Sequence, residues 1–286
     1  MNAFQKLARD FPKSPLASEA LFRVGEAYYQ AEQFEQAAKS YAASASKSFA
    51  GEIGEKSLHK LGWSHLKADA TDAAAKAFGQ QLAKHPSGEL AGDARFLIGE
   101  CGFRNEDWKT ALSAYEKVIR SGDSSYVALA TFRAGECAGS LENWSASRAW
   151  HQQVLDKFAD FDMRPEARYG LGWALQHEGQ YELAMKSYEQ VTEETDTETA
   201  AKARFMIGEC LFAQKKHKDA AKHFLKAAFI YNHKQWSALA YFEAARCFEV
   251  LRDLEQAQTC YEKLIKNYPA HSKVKDAQQR LAALGA

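Results

Sequence analysis

The sequence predicts an all-α fold built from consecutive helix pairs, and three observations support that prediction. Proline occurs only five times in 286 residues, so few positions prevent helix formation. Alanine, glutamate, lysine, glutamine and leucine dominate the chain, and all five have high helix propensity. A motif of the form A-x-[F/Y]-x-x-G recurs along the chain at a nearly constant spacing, which indicates a tandem array.

The motif closes on a small residue seven times, at intervals of 36 or 37 residues. These closing residues are Gly25, Gly62, Gly99, Gly135, Gly172, Gly208 and Ala245. We number the positions of each copy from its closing residue, so that plus one is the residue that follows it. A period of this length predicts a solenoid in which each copy contributes one helical unit.

The first helix of each copy carries the motif itself. A small residue at minus five and an apolar residue at minus one share one side of this helix with the closing glycine. A glycine inside a helix costs roughly 1 kcal/mol relative to alanine. We therefore expect the glycine to permit a close approach of the second helix, which a side chain would prevent.

The second helix carries an aromatic residue at plus nine in four copies, a small residue at plus twelve and a large ring at plus sixteen. The plus-sixteen residues are Tyr41, Phe78, Tyr115, His151, Tyr188, Phe224 and Tyr261. Small residues facing large ones allow two helices to interdigitate. Proline at plus twenty-four, in Pro86 and Pro269, marks the end of the helix; four copies have Asp123, Ala159, Asp196 and Asn232 there instead.

The ends of the array predict incomplete copies. Residues 1–12 match the second helix of an earlier copy, and residues 272–284 match a charged capping helix. The full copies are predicted at 15–50, 52–87, 89–124, 126–161, 163–197, 198–234 and 235–269. We therefore predict one solenoid domain over residues 1–286, and expect it to be a fragment of a longer protein.

These positions resemble the tetratricopeptide repeat over essentially the whole chain. The resemblance implies a right-handed superhelix of about seven α-helix pairs that binds proteins. The period of 36–37 residues and the aromatic residue at minus three are similar to the repeats of two bacterial envelope proteins, YbgF (the Tol-Pal coordinator) and BamD (an outer-membrane assembly lipoprotein). That similarity implies a bacterial scaffold in the periplasm.

Composition and motifs give no indication of an enzyme. The 37 basic and 37 acidic residues balance, so we expect no general attraction to nucleic acid or to an anionic membrane. No apolar run approaches the ~18 residues of a membrane span. The cysteines and histidines lack the spacing of metal ligands and of catalytic motifs. We expect no cofactor and no metal, and interpret the five cysteines as small packing residues.

One side of the first helices is the candidate binding surface. Minus three, plus one and plus four fall within about 60° of one another, and the resemblance implies that they line a concave groove. The predicted partner-binding residues are Phe22, Glu26, Tyr29, Trp63, Phe96, Glu100, Phe103, Phe132, Glu136, Tyr169, Trp173, Phe205, Glu209, Phe212 and Phe242. Packing gives no evident reason for a glutamate at plus one, although the minus-three rings are also explained by packing between first helices. Aromatic residues with interspersed carboxylates suit a protein or peptide partner.

Two other functions compete with peptide binding. The array is also consistent with a structural role, in which it oligomerises through its ends or its convex face. The aromatic residues would equally suit an envelope glycan such as peptidoglycan. If the groove is not the site, the convex, lysine-rich segment from Lys215 to Lys226 or the ends of the solenoid become the better candidates.

Overall fold

The computed structural model describes residues 2–48, 51–122, 125–231 and 233–285, and within them it contains sixteen α-helices and no strand. The helices are α1 (Asn2–Asp10), α2 (Leu16–Gln30), α3 (Phe34–Lys47), α4 (Glu52–Lys67), α5 (Thr71–Lys84), α6 (Ala91–Arg104), α7 (Trp108–Ser121), α8 (Val127–Ser140), α9 (Trp144–Lys157), α10 (Arg164–His177), α11 (Tyr181–Glu194), α12 (Glu198–Ala213), α13 (His217–Ile230), α14 (Lys234–Val250), α15 (Leu254–Asn267) and α16 (Val274–Leu284). The predicted all-α class is confirmed. Among these helices, none combines the length and the apolar content needed to cross a bilayer.

The chain divides into two compact units, Met1–Glu142 and Asn143–Ala286. The first contains α1–α8 and the second contains α9–α16. Within each unit every helix packs against the next one along the chain. First helices of neighbouring copies also contact each other, as α2 and α4 do in the first unit, and as α10, α12 and α14 do in the second. This sequential packing is that of a solenoid built from helix pairs.

The second helices start in the register that the sequence predicts. All seven begin at plus nine, whether that residue is aromatic, as in Trp108, or not, as in Thr71. Helices α5 and α15 end two residues before Pro86 and Pro269. Helices α9 and α11 end at the same position without a proline, while Asp123 and Asn232 lie outside the described residues.

The closing glycines bring the second helix close, as predicted. A Cβ atom built on Gly99 would lie 2.5 Å from Tyr115 Cε1, and one built on Gly208 would lie 2.6 Å from Phe224 Cε1. Gly25, Gly62 and Gly172 meet the plus-sixteen ring of their own copies in the same way. The plus-sixteen ring therefore fills the space that the missing side chain leaves.

The turn between the two helices has a feature that the sequence does not signal. The residue at plus seven has a positive φ in every copy, and only Gly179 among the seven is a glycine. The others are Glu32, Asp69, Glu106, Glu142, Lys215 and Arg252, with φ between 55° and 61°. In the third copy the N–H of Asp107 reaches the carbonyl of Gly102 at 2.9 Å, the closure of a Schellman motif. The turn geometry thus imposes a left-handed residue whatever its side chain.

All five cysteines are buried and none forms a disulfide. Burial raises the pKa of Cys101 and Cys260 to about 11 and that of Cys137, Cys210 and Cys247 to about 12. The interpretation of these residues as packing residues agrees with their burial.

Candidate partner-binding surface

The phenylalanines at minus three belong to the core. Phe22, Phe96, Phe132, Phe205 and Phe242 are all at most 8% exposed, so the prediction that they line a binding surface is wrong. In six copies the minus-three ring packs on the plus-sixteen ring with centroids 5.0 to 5.8 Å apart. Phe96 also stacks on Tyr126, which precedes the first helix of the following copy. Packing therefore accounts for these residues, but mainly against the second helix of their own copy and not between first helices as the alternative proposed.

The remaining predicted residues, at plus one and plus four, are partly accessible on the first helices. We call them the first-helix strip, and treat its two units separately. In the unit Met1–Glu142 it contains Glu26, Tyr29, Trp63, Glu100, Phe103 and Glu136; in the unit Asn143–Ala286 it contains Trp173, Glu209 and Phe212. Tyr169, at minus three, is half-buried beside the strip.

Two of the strip's glutamates have a structural role that we did not anticipate. The Tyr41 hydroxyl donates to Glu26 Oε1, and the Tyr115 hydroxyl donates to Glu100 Oε1 at 2.5 Å. Tyr41 and Tyr115 are the plus-sixteen residues and are fully buried, so their hydroxyl groups need an acceptor. Packing therefore does give a reason for a glutamate at plus one.

The other two copies with a plus-sixteen tyrosine lack a glutamate at plus one and supply the acceptor from plus four. The Tyr188 hydroxyl donates to Gln176 Oε1 at 3.0 Å, and the Tyr261 hydroxyl donates to Glu249 Oε1 at 2.9 Å. Plus one in these two copies is occupied by Trp173 and Arg246. Every plus-sixteen tyrosine thus has its acceptor on the first helix of its own copy.

Cations of the following copy neutralise the strip in the first unit. Lys60 Nζ lies 3.4 Å from Glu26 Oε1 and 5.2 Å from the centroid of the Tyr29 ring. Arg133 repeats this arrangement, with Nε 3.3 Å from Glu100 Oε1 and its guanidinium carbon 4.5 Å from the Phe103 centroid.

Arg133 also pairs with the next glutamate of the strip, Glu136. Its Nη1 donates to Glu136 Oε2 at 2.8 Å. Burial raises the pKa of Glu136 and Arg133 opposes that shift. Glu26, Glu100 and Glu136 are therefore all paired within the chain.

Trp63 is held by a buried polar network. Its indole Nε1 donates to His59 Nε2 at 3.1 Å. A neutral His59 therefore carries its proton on Nδ1, and this Nδ1 lies 3.1 Å from Gln81 Oε1. The Gln81 amide nitrogen donates to the Leu90 carbonyl at 3.1 Å and extends the network. The polar edge of Trp63 is thus already satisfied, and only its ring remains available to a partner.

Trp173 is the most accessible of the predicted aromatic residues, with 37% of its surface exposed. It lies between Tyr169 and His177 on α10, with ring centroids 6.2 and 5.2 Å away. His177 in turn stacks on Trp144 of α9 at 3.8 Å. These neighbours fix the indole while leaving one part of it open to solvent.

Glu209 differs from the other three strip glutamates. Its copy has Phe224 at plus sixteen, which has no hydroxyl to donate, and within the described chain Glu209 has neither a hydrogen bond nor an ion pair. Burial, reinforced by nearby Glu243 and opposed by Arg246, raises the pKa of Glu209 to about 7. Arg246 is engaged elsewhere, since its Nη1 lies 2.6 Å from Glu243 Oε2 and its guanidinium lies over the Phe212 ring at 5.2 Å.

The lysine-rich segment borders a separate cavity of about 530 Å³ between α11 and α13. Lys216, Lys222, Lys226 and His223 line it on one side and Glu189 on the other. Lys222 pairs with Asp219 at 3.0 Å. The cavity therefore mixes both signs of charge, which does not distinguish it as an anion site.

Family models and solved structures match the chain. Tetratricopeptide repeat models match residues 2–52, 59–126 and 239–271, which together make up more than half of the chain, and a model described as anaphase-promoting complex, cyclosome, subunit 3 matches residues 152–227. No curated protein matches the sequence at a significant level.

Three solved structures show the same fold at low identity. The C-terminal part of a tetratricopeptide-repeat-containing protein from Cytophaga hutchinsonii is 14% identical, with a TM-score of 0.69 over 90% of this chain and 98% of that chain. A tetratricopeptide repeat protein from Parabacteroides merdae is 14% identical, with a TM-score of 0.59 over 94% and 99%. YrrB, described as having an unusual peptide-binding site, is 20% identical, with a TM-score of 0.52 over 72% and 99%. With its sequentially packed helix pairs, this chain belongs to the tetratricopeptide repeat family.

Proposed function

We propose that this protein is a non-enzymatic scaffold that binds a peptide segment of a partner protein on its first-helix strip. Tetratricopeptide repeats are generally protein–protein interaction modules, and the peptide-binding site described for YrrB is a precedent within the fold. The observation that carries the proposal is the exposed ring of Trp173, which its aromatic neighbours on α10 hold in place. Rigid aromatic anchors contribute a large share of binding energy at protein interfaces.

We propose a smaller set of partner-binding residues than the sequence predicts. Glu26, Glu100 and Glu136 are paired within the chain, and the minus-three phenylalanines are buried. We propose that the partner contacts Trp173, Glu209 and the exposed edge of Phe212 in the unit Asn143–Ala286. In the unit Met1–Glu142 we propose a separate contact surface formed by Trp63 and the exposed edges of Tyr29 and Phe103. The strip then acts through a few accessible rings, and a continuous row of carboxylates is not required.

We also propose that the scaffold acts in a bacterial cell envelope. The support is the resemblance of the 36–37-residue period and of the minus-three aromatics to YbgF and BamD. Fractionation of the native host, with antibody detection of the full-length protein, tests this point. A periplasmic or membrane fraction agrees with the proposal, and a cytosolic fraction overturns it.

Peptide selection tests the binding function directly. The chain is immobilised, peptides are selected from a phage-displayed library of random 12-residue sequences, and their Kd is measured by fluorescence anisotropy. We expect Trp173→Ala to raise the Kd of the selected peptides at least tenfold, because a desolvated aromatic anchor contributes about 2 kcal/mol or more to the free energy of binding. Trp63→Ala tests the surface of the first unit separately, and should weaken the binding of peptides that this surface selects.

Lys218→Ala is the matched control, since Lys218 is exposed on α13 and lies outside the strip. The affinity of this variant for the selected peptides should stay within twofold of the wild type. Circular dichroism should show unchanged helicity for all variants. The absence of any enriched peptide overturns the proposed function. Enriched peptides with the same Kd for wild type and both tryptophan variants would exclude the strip as their site.

Self-association is a second candidate function, favoured by one observation. Phe229 and Ile230, at the end of α13, are 61% and 62% exposed, which is unusual for adjacent large apolar residues. Sedimentation velocity of the wild type and of Ile230→Lys distinguishes the two functions. A wild-type oligomer that dissociates in the variant supports this candidate, and a monomer at all concentrations overturns it.

A further inference from the structure

The strip carries one carboxylate whose position in the repeat calls for a partner that the chain does not supply. Glu26 and Glu100 accept hydrogen bonds from plus-sixteen tyrosines, and Glu136 pairs with Arg133. Glu209 occupies the same position, but Phe224 stands fifteen residues later where the first two have tyrosine. The glutamate is thus retained where its usual structural reason is absent.

The surroundings of Glu209 leave its charge incompletely compensated. Arg246, whose charge acts on Glu209, is committed to Glu243 at 2.6 Å and to the face of Phe212. Glu243 adds a second negative charge from α14 and is only 8% exposed. A half-buried carboxylate beside a second one favours the arrival of an additional cation, because the charged form is otherwise destabilised by desolvation and repulsion.

Trp173 lies at the same register as Glu209, on the neighbouring first helix. Both residues directly follow the closing glycine of their copies, and helices α10 and α12 contact each other. Packed helices have axes about 8–10 Å apart, a span that one long side chain can bridge. The exposed indole offers a face for a cation and cover for an aliphatic stem.

Two places in the first unit show how one cation can bind a strip carboxylate and an aromatic ring together. Lys60 lies beside Glu26 and over the Tyr29 ring, and Arg133 lies beside Glu100 and over the Phe103 ring. In each case one cation bridges a strip carboxylate and a strip aromatic residue. Beside Glu209 the plus-four ring, Phe212, already carries Arg246, whose guanidinium pairs with Glu243 and not with Glu209. A further cation at Glu209 would therefore use a different ring, the exposed indole of Trp173.

We propose that Glu209 and Trp173 together recognise one lysine or arginine side chain of the bound peptide. The ammonium or guanidinium group pairs with the Glu209 carboxylate, and its neighbouring atoms lie against the Trp173 indole. The inference rests on the proposed peptide-binding function and specifies the side chain that the second unit selects.

The experiment uses the selected 12-residue peptides and a double-mutant cycle. Peptides selected on the wild type should share a basic residue at one position, and replacing that residue by norleucine should weaken binding at least tenfold. With Glu209→Gln the same replacement should change the Kd less than twofold, which shows that the two groups interact. Trp173→Leu should reduce the effect of the replacement by an intermediate amount.

Glu100→Gln is the matched control, because it removes the same charge from the same position of another copy. There the carboxylate is already bound by Tyr115 and Arg133. The norleucine effect should remain at least tenfold in that variant. Peptides that bind without a shared basic residue, or an equal norleucine effect in wild type and Glu209→Gln, overturn this inference and leave the proposed function standing. Failure to select any peptide overturns both.

Discussion

The Tyr115 hydroxyl donates to Glu100 Oε1 at 2.5 Å and joins the buried face of α7 to the accessible strip on α6. The pair shows how a carboxylate on a candidate binding surface can belong to the fold. For Glu26 and Glu100 this structural role depends on a tyrosine hydroxyl fifteen residues downstream.

Removing that hydroxyl should destabilise the first unit. Tyr115→Phe deletes a hydrogen bond to a charged acceptor, which contributes about 1.5–3 kcal/mol. We expect a loss of about 2 kcal/mol in the free energy of unfolding, measured by urea denaturation followed by circular dichroism. A double-mutant cycle with Glu100→Gln should give a coupling energy of at least about 1 kcal/mol, and additive effects would show that the two groups do not interact.

Adding a hydroxyl should have opposite effects in two copies. In Phe224→Tyr the new hydroxyl reaches Glu209 as Tyr115 reaches Glu100, so we expect a gain of about 1 kcal/mol in stability and weaker binding of basic peptides. Phe78→Tyr is the matched control, because Trp63 and Leu66 occupy plus one and plus four of its copy and offer no acceptor. The buried hydroxyl should then cost about 1–3 kcal/mol. Changes of the same sign in both variants would contradict the acceptor rule.

A side chain at the closing glycine should overpack the helix pair. In Gly99→Ala the new Cβ would lie 2.5 Å from Tyr115 Cε1, and overpacking of this kind costs about 1–3 kcal/mol. Gly79→Ala on α5 meets no atom within 4 Å and should stabilise by about 0.5–1 kcal/mol through helix propensity. Equal effects of the two substitutions on the urea midpoint would show that close approach is not the reason for the glycine.

Relieving a left-handed turn residue should stabilise the fold. Lys215 has a φ of 61°, which costs a side-chain-bearing residue about 1–2 kcal/mol, whereas glycine adopts it freely but loses more entropy on folding. We expect Lys215→Gly to raise the free energy of unfolding by about 0.5–1 kcal/mol. Lys226→Gly, inside α13, should lose about 1 kcal/mol. A destabilised Lys215→Gly would indicate that the lysine side chain stabilises the turn by more than its strain.

Acid should destabilise the second unit through His151. Burial lowers the pKa of His151 to about 4, below the ordinary value of about 6.5 that it regains on unfolding. Between pH 6.5 and pH 4 the unfolded chain therefore binds a proton that the folded chain does not, so stability falls as the pH falls through this window. Relative to His151→Phe, the wild type should lose about 2 kcal/mol between pH 7.5 and pH 5.

The comparison with His151→Phe isolates one residue among several that titrate. The pKa of His223 is also lowered to about 4, mainly by burial, and adds to the acid sensitivity. Burial raises the pKa of Glu209, which acts in the opposite direction. Identical pH profiles for wild type and variant would exclude His151 as a source of acid sensitivity.

The sequence predicts the helices and their register because repetition averages out local ambiguity. Seven copies align on the closing residue, so the start of each second helix at plus nine follows even where Thr71 or His217 replaces an aromatic residue. The close approach at Gly99 follows from the cost of glycine in a helix. The left-handed turn residue could not be predicted in the same way, since six of its seven instances carry a side chain that disfavours it.

The candidate site was predicted less well, for a physical reason. A helical wheel places minus three beside plus one and plus four, but it does not contain the second helix, whose plus-sixteen ring covers the minus-three ring. Phe96 and Phe205 are therefore buried although their neighbours on the wheel are accessible. A signal for Glu100 was present in the sequence: tyrosine at plus sixteen accompanies a glutamate, or an acceptor at plus four, in every copy that has one.

Lys60 and Arg133 each lie across the boundary between two neighbouring copies of the first unit, bound to a carboxylate and a ring of the preceding first helix. Any bending that spreads the strip open must separate the cation from both. Salt screens the carboxylate contact of a partly exposed pair and leaves the packing of the lysine or arginine stem on the ring largely intact. The bending stiffness of this unit should therefore depend on ionic strength even where its helix content does not.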